Sequence, residues 1–169
     1  MENVISAVIV ILIFFAIILW IVVIKPKMNR TMNQHVFSIS SYQAEQKHTK
    51  EILQFVTTAS IEQIRAQLKN HVPTKEEPSR IAAQLYVEQE TDSFIIYALG
   101  SRLKTGLRSQ LFFTPTSNGI EATYQVLTWT QMNGMTCATN EMRDLSEAIQ
   151  QAFWAADADC SVQATYLAQ

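Results

Sequence analysis

The chain has 169 residues, 48% of them hydrophobic and 17% charged, with a formal net charge of −2 and two cysteines. That length leaves room for one ordinary domain beside a short accessory segment, two cysteines exclude a disulfide-built scaffold, and apolar residues recurring in regular patterns exclude a disordered chain. Of the 13 Lys+Arg and 15 Asp+Glu, only Lys25, Lys27, Arg30 and Glu2 fall in the first 30 residues; the 10 and 14 beyond them give net −4, which excludes a bulk nucleic-acid binder, since that needs a basic excess or stripe.

The first element is the apolar run Val4 to Ile24, broken only by Ser6 and free of charge, Pro and Gly. As a helix rising 1.5 Å per residue its 21 residues span about 31 Å, the thickness of a bilayer's hydrocarbon core. A buried helix of a soluble protein would keep a polar stripe, and this run has none. A cleaved signal peptide fits poorly: Met1-Glu2-Asn3 is not a positive n-region, the run exceeds roughly 7–15 residues, and Lys25-Pro26-Lys27 stands in place of a small-residue cleavage site. Lys25, Lys27 and Arg30 flank the C-terminal end of the run against Glu2 at the other. The positive-inside rule then puts the N-terminus outside the cell and the rest of the chain in the cytoplasm. Trp20 sits near the inner boundary, and Pro26 ends the helix as the chain leaves the lipid. The expected organisation is a single-pass anchor over residues 1–27, a linker over 28–49 and a cytoplasmic domain over 50–169, with the lipid bilayer as a partner through Val4–Ile24.

Met28 to Gln46 is polar apart from Val36, Phe37 and Ile39, and reads as a linker with a short strand or a helical extension of the anchor. "KEILQFVT" alternates Ile52, Gln54 and Val56 against Glu51, Leu53 and Phe55, a strand covered on both faces or a helical segment. Ser60 with Gln63 makes a capping-box pattern, and Ile61, Ile64, Leu68 and Val72 recur at helical spacing up to Pro73, so an amphipathic helix of about three turns is expected. "RIAAQLYVEQ" alternates Ile81, Ala83, Leu85 and Val87 inward, "SFIIYALG" follows a polar turn, and two β-rich runs flank Asn118-Gly119, the type I′ hairpin dipeptide. A second helix is expected from an N-cap at Thr139 or Asn140, burying Met142, Leu145, Ile149, Ala152, Phe153 and Ala156. "SVQATYL" then reads as a closing strand. The fold class is α+β: a single N-terminal transmembrane helix, then an antiparallel meander packed on a long C-terminal helix.

Chemistry is sparse. "GSRLKTG" is not a phosphate loop, because Leu103 precedes Lys104-Thr105 where a Gly is required and its flanks read as strands on both sides. It leaves a basic loop, Arg102, Lys104 and Arg108, either a solvated hairpin turn or a contact to anionic lipid headgroups worth about 1 kcal/mol per basic residue. His35, His48 and His71 have no metal-ligand spacing, and no metal or other cofactor is implied. Cys137 precedes a helix start but lacks an identifiable base, and both cysteines read as free thiols; in the reversed topology a Cys137–Cys160 bridge becomes plausible. The aromatics either fill the core between sheet and long helix or line a cavity there, with Tyr97, Phe112, Tyr124, Trp129 and Phe153 as the lining.

"QFVTTASIEQIRAQLKN", "GIEATYQVLTWTQMNG" and "NEMRDLSEAIQQAF" resemble the first strand and helix, the late strands and the closing helix of the START/Bet v 1-like helix-grip superfamily, over about residues 50–157. The strand expected after the last helix is a departure from that pattern. The resemblance implies a hydrophobic ligand pocket and carries over no binding residues. The functional expectation is a non-enzymatic, membrane-anchored cytoplasmic binding domain for a lipid-like or apolar ligand or a partner protein. The alternatives are a small cavity-based enzyme of cyclase or hydrolase type, with Glu121, Tyr97 and Tyr124 as its only polar candidates, or an accessory subunit of a membrane complex.

Overall fold

The computed structural model describes residues 47–132 and 135–167. In chain order the elements are β1 (Glu51–Thr57), α1 (Ile61–His71), β2 (Gln84–Glu90), β3 (Phe94–Gly100), β4 (Thr105–Thr116), β5 (Gly119–Trp129), β6 (Gln131–Met132), β7 (Met135–Thr136), α2 (Thr139–Ala156) and β8 (Ser161–Tyr166). Two compact units divide the chain: Ala44–Thr130 with Thr136–Gln169, and Met1–Gln43 with Gln131–Met135. The first carries the main sheet and both helices. Strands β6 and β7 pair as a separate short ribbon. Among the described residues no helix is long and apolar enough to cross a membrane; the expected span Val4–Ile24, and His35 with it, lie outside the described residues.

The main sheet is antiparallel with strand order β2-β3-β4-β5-β1-β8. Strands β2 to β5 form a meander, β1 lies beside the last of them, and β8 returns after α2 to cover the other side of β1. The segment from Glu51, open in sequence to either reading, is therefore a strand, interior to the sheet, and the α+β class holds. Period-two alternation decides which side chains meet the helices. Leu53, Phe55, Leu111, Phe113, Ala122 and Tyr124 are buried on the helix side, while Gln54, Val56, Phe112, Thr114 and Glu121 are exposed on the other. Both helices bring their apolar stripes to that one face, and Ile64, Leu68, Ile149 and Phe153 join the strand residues in a single core. Phe153 stacks on Phe55 with ring centroids 4.1 Å apart.

The capping box of α1 forms as the sequence implies. Ser60 Oγ accepts from Gln63 N–H, and Gln63 Oε1 accepts from Ser60 N–H. Three expectations need correction. Ile81 and Ala83 are outside β2 and exposed, Ile81 almost fully, because the strand begins only at Gln84. The β4–β5 turn is not type I′: that turn needs positive φ at both central residues, and in this stretch only Gly119, past the turn, has one (φ 142°). The N-cap of α2 is Ala138, in the left-handed region at φ 63° without a side-chain cap, rather than Thr139 or Asn140. The Thr139 hydroxyl lies within the first turn and donates to the Thr136 carbonyl.

The far end of α2 is held differently. Asp157 Oδ2 accepts from Thr57 Oγ1 at 2.7 Å, Thr58 N–H at 2.9 Å and Thr58 Oγ1 at 3.0 Å, and its Oδ1 accepts from Asp159 N–H at 3.0 Å. These bonds tie the helix exit to the β1–α1 turn. The Thr57 hydroxyl first, then the Thr58 and Asp159 amides and the Thr58 hydroxyl, hold the Asp157 carboxyl down to about 2. In the unfolded chain it titrates near 3.9, so its contribution to stability is complete above about pH 4 and is lost as pH falls through about 2. Acid unfolding of an Asp157→Asn variant should accordingly be flatter between pH 4 and 2 than that of the wild type. Parallel acid limbs in urea midpoints would contradict this.

Candidate functional site

Alternation along β1 puts Glu51 on the same face as Leu53 and Phe55, so a carboxylate points to the helix side at the mouth of the core. Residues 47–50 form a helical turn leading into β1 and bring His48 Nδ1 to 3.4 Å from Glu51 Oε2, both side chains largely covered. The Tyr166 hydroxyl donates to Glu51 Oε1 at 3.3 Å from the neighbouring strand, with which Glu51 is in register. Lys47 Nζ lies 5.7 Å from the Tyr166 ring centroid.

Tyr124 lies deeper on the same face. It opposes Leu53, which makes Glu51 its diagonal neighbour, and it opposes Leu111 on β4, which makes Ser109 its diagonal neighbour on the other side. Both the Tyr124 hydroxyl and Ser109 Oγ are fully enclosed, and neither completes a hydrogen bond of good geometry. Ser109 stands close enough to ease Tyr124 ionisation, but burial dominates and, with a smaller push from Glu51, drives the phenol up to about 12. Burial raises Tyr97 as well, followed by the charge of Glu90 and by Tyr124, against the opposing charge of Arg65. Two neutral phenols can donate hydrogen bonds; neither can serve as a base near pH 7. A buried hydroxyl without a partner costs stability (about 1–3 kcal/mol), whereas deleting a satisfied one loses about 1. Tyr124→Phe is thus expected to be neutral or stabilising by up to about 1 kcal/mol in urea unfolding. A loss above about 1 kcal/mol would mean that the hydroxyl is satisfied in solution.

The residues expected to line a cavity are not gathered around one space. Tyr97, Tyr124 and Phe153 belong to the main core, Trp129 packs on the smaller cluster of Leu107, Val126 and Met142, and Phe112 is on the opposite face of the sheet, 43% exposed. Tyr97 also borders a surface cleft of about 100 Å³, shared with Arg65, Leu68 and Val87. Of the enzyme candidates, Glu121 is on the exposed face, away from Tyr97 and Tyr124. Of the expected basic loop, Arg102 and Lys104 lie in the β3–β4 hairpin connection while Arg108 is within β4, and much of this charge is already paired. Arg102 Nη2 is 2.5 Å from Glu77 Oε2, and Arg108 makes a two-pronged pair with Glu88 at 2.7 Å on each prong. Lys104 has no ion pair among the described residues.

Among the described residues no three His, Cys, Asp or Glu side chains are placed to hold a metal ion. Cys137 and Cys160 are free thiols, and burial followed by the Asp157 charge pushes Cys160 up to about 11. Cys137 borders a shallow depression of about 360 Å³ together with Leu99, Gly106 and Glu141. Sequence reading singled out neither Glu51, His48 nor Ser109. The alternation that placed Glu51 with Leu53 and Phe55 was the available signal for the first. Nothing in the local pattern marks the Ser109 hydroxyl as enclosed. Compared with known proteins, the chain matches no family model and no curated sequence.

Proposed function

We propose that this chain is a membrane-tethered binding domain whose partner is a protein rather than an apolar small molecule. The observation that carries the choice is the contrast between the two faces of the sheet. On the helix side, the space between β1 and α2 where a helix-grip pocket would lie is occupied by the stacked Phe55 and Phe153, both fully buried. The other face has no helix of this unit packed on it among the described residues. It carries Phe112 beside its register partner Phe94, with Val56 and Leu127 exposed among Gln and Thr side chains. Exposed apolar side chains rimmed by polar ones are the usual composition of a protein contact. The tether is the run Val4–Ile24, and the basic residues after it favour a cytoplasmic domain. The order strand, helix, four-strand meander and long helix agrees with a helix-grip arrangement, to which β8 is an addition.

Native mass spectrometry of the full-length chain released from detergent micelles tests the choice. The expected result is the mass of the chain, or a whole-number multiple of it, with no small molecule added, together with a protein crosslink in native membranes that Phe112→Glu and Val56→Glu weaken. A co-purifying apolar molecule of defined mass would overturn it in favour of a ligand carrier.

A further inference from the structure

The two edges of the main sheet are built differently. The β2 edge is defended: the register breaks between Val87 and Gln89, Glu88 and Glu90 put charges there, and Lys75 N–H donates to the Leu85 carbonyl at 2.8 Å from outside. Bulges, charges and covering segments are the devices that keep a sheet edge from pairing with another chain. Among the described residues the β8 edge has no bulge, no charge within the strand and no segment paired outside it; the charge nearest to it is Lys47, over the Tyr166 ring. Ser-Val-Gln-Ala-Thr-Tyr holds no charge, Pro or Gly, pairs with β1 in unbroken register, and is exposed at every position except the half-buried Val162. No strand among the described residues pairs with its outer side.

The direction of its free backbone groups follows from one bond. Leu167 N–H donates to the Lys50 carbonyl at 3.1 Å. In an antiparallel ladder this points the N–H and C=O of Ser161, Gln163 and Thr165 toward β1, and those of Val162, Ala164 and Tyr166 outward. We infer that β8 is a self-pairing edge, where a second copy of this chain adds its own β8 antiparallel and joins the two sheets into one.

Self-complementarity points to a second copy as the occupant. A two-fold axis through the edge requires outward-facing residues to oppose outward-facing residues. Centred on Ala164, it sets Ala164 against its own copy and Val162 against Tyr166 of the copy. The small side chain stands at the axis, and each flank gains an aromatic beside a β-branched residue, a favourable cross-strand pair. Because the strand is uncharged, the axis brings no like charges together, as it would for an edge such as β2. Self-pairing uses the edge and leaves the open face untouched, so it stands apart from the identity of a protein partner.

The test is the mass of the full-length chain in detergent micelles by light scattering, at tens of micromolar protein, for the wild type, Ala164→Pro and Ala164→Lys. Proline at 164 removes only an outward N–H and leaves every bond to β1, a placement that edge strands tolerate. Lysine sets two ammonium groups face to face at the axis. Circular dichroism verifies that each variant is folded, and Ala164→Lys serves if Ala164→Pro is not. The expected result is a wild-type dimer that both variants lose, with Phe112→Glu leaving it intact. A monomeric wild type would overturn the inference, and so would a dimer that persists in a folded edge variant, since it would be held elsewhere.

Discussion

Replacing Phe153 by Ala should cost the domain about 3–5 kcal/mol, the usual consequence of emptying a fully buried aromatic site. The ring has no measurable exposure and lies 4.1 Å from that of Phe55, nearly parallel to it at 16°. It is therefore the direct link between the second helix and an interior strand. Collapse around the hole is restricted, because Leu53, Ile149 and Ala152 beside it are anchored to those same two elements. Against a typical total of 5–15 kcal/mol, the urea midpoint should fall by about a fifth or more at unchanged slope, and the thermal midpoint by on the order of 10–20 °C. Phe153→Leu keeps most of the volume and should cost less than about 2 kcal/mol. A Phe153→Ala loss under about 1 kcal/mol would show that the ring does not fill this site. It would also reopen the ligand-pocket reading, since a space that tolerates an empty aromatic position is one that a ligand could occupy.

How much of this could be read beforehand depends on the range of the interaction. Capping of α1 is local: Ser60, Gln63 and the spacing of Ile64 and Leu68 determine it, and all appear in the structure as the sequence implies. The inward face of α2 is equally legible, because helical period is a property of one segment. What fails is whatever depends on a neighbour distant in sequence. Ile81 continues the apolar alternation of β2, but the register of the β2–β3 pair starts only at Gln84 with Gly100, so Ile81 is left outside. Phe112 and Phe113 are indistinguishable by type, and only register with β5 assigns one to each face. The Glu51, Tyr124 and Ser109 arrangement needs three strands in register before it exists at all. Arg102 and Arg108 read as free positive charge because their partners Glu77 and Glu88 come from the segment before β3.

Gly119 shows the same division in a single residue, and it carries the second large effect. The Asn118-Gly119 pair correctly marks a hairpin, yet the reason for the glycine is not the turn. Its φ of 142° is one that L side chains rarely adopt, and an added Cβ would come within 2.0 Å of the Thr57 carbonyl oxygen and 2.9 Å of Thr58 Cα. The end of the β4–β5 hairpin thus presses on the β1–α1 turn, at the residues that Asp157 holds from the far end of α2. Gly119→Ala should cost about 1–3 kcal/mol for the backbone conformation and a comparable amount for the overpacking. Relief of the clash requires Thr57 and Thr58 to move, which loosens their bonds to Asp157. The two sites are then coupled: Asp157→Ala should cost less in the Gly119→Ala background than in the wild type, a non-additivity that a double-mutant cycle in urea reads directly. The acid limb of Gly119→Ala should also flatten between pH 4 and 2, because a carboxyl released from Thr57 and Thr58 moves back toward its unfolded value. Additive costs with an unchanged acid limb would mean that the turn yields elsewhere and that Asp157 keeps its grip. In that case the hairpin end and the helix exit act on this turn independently.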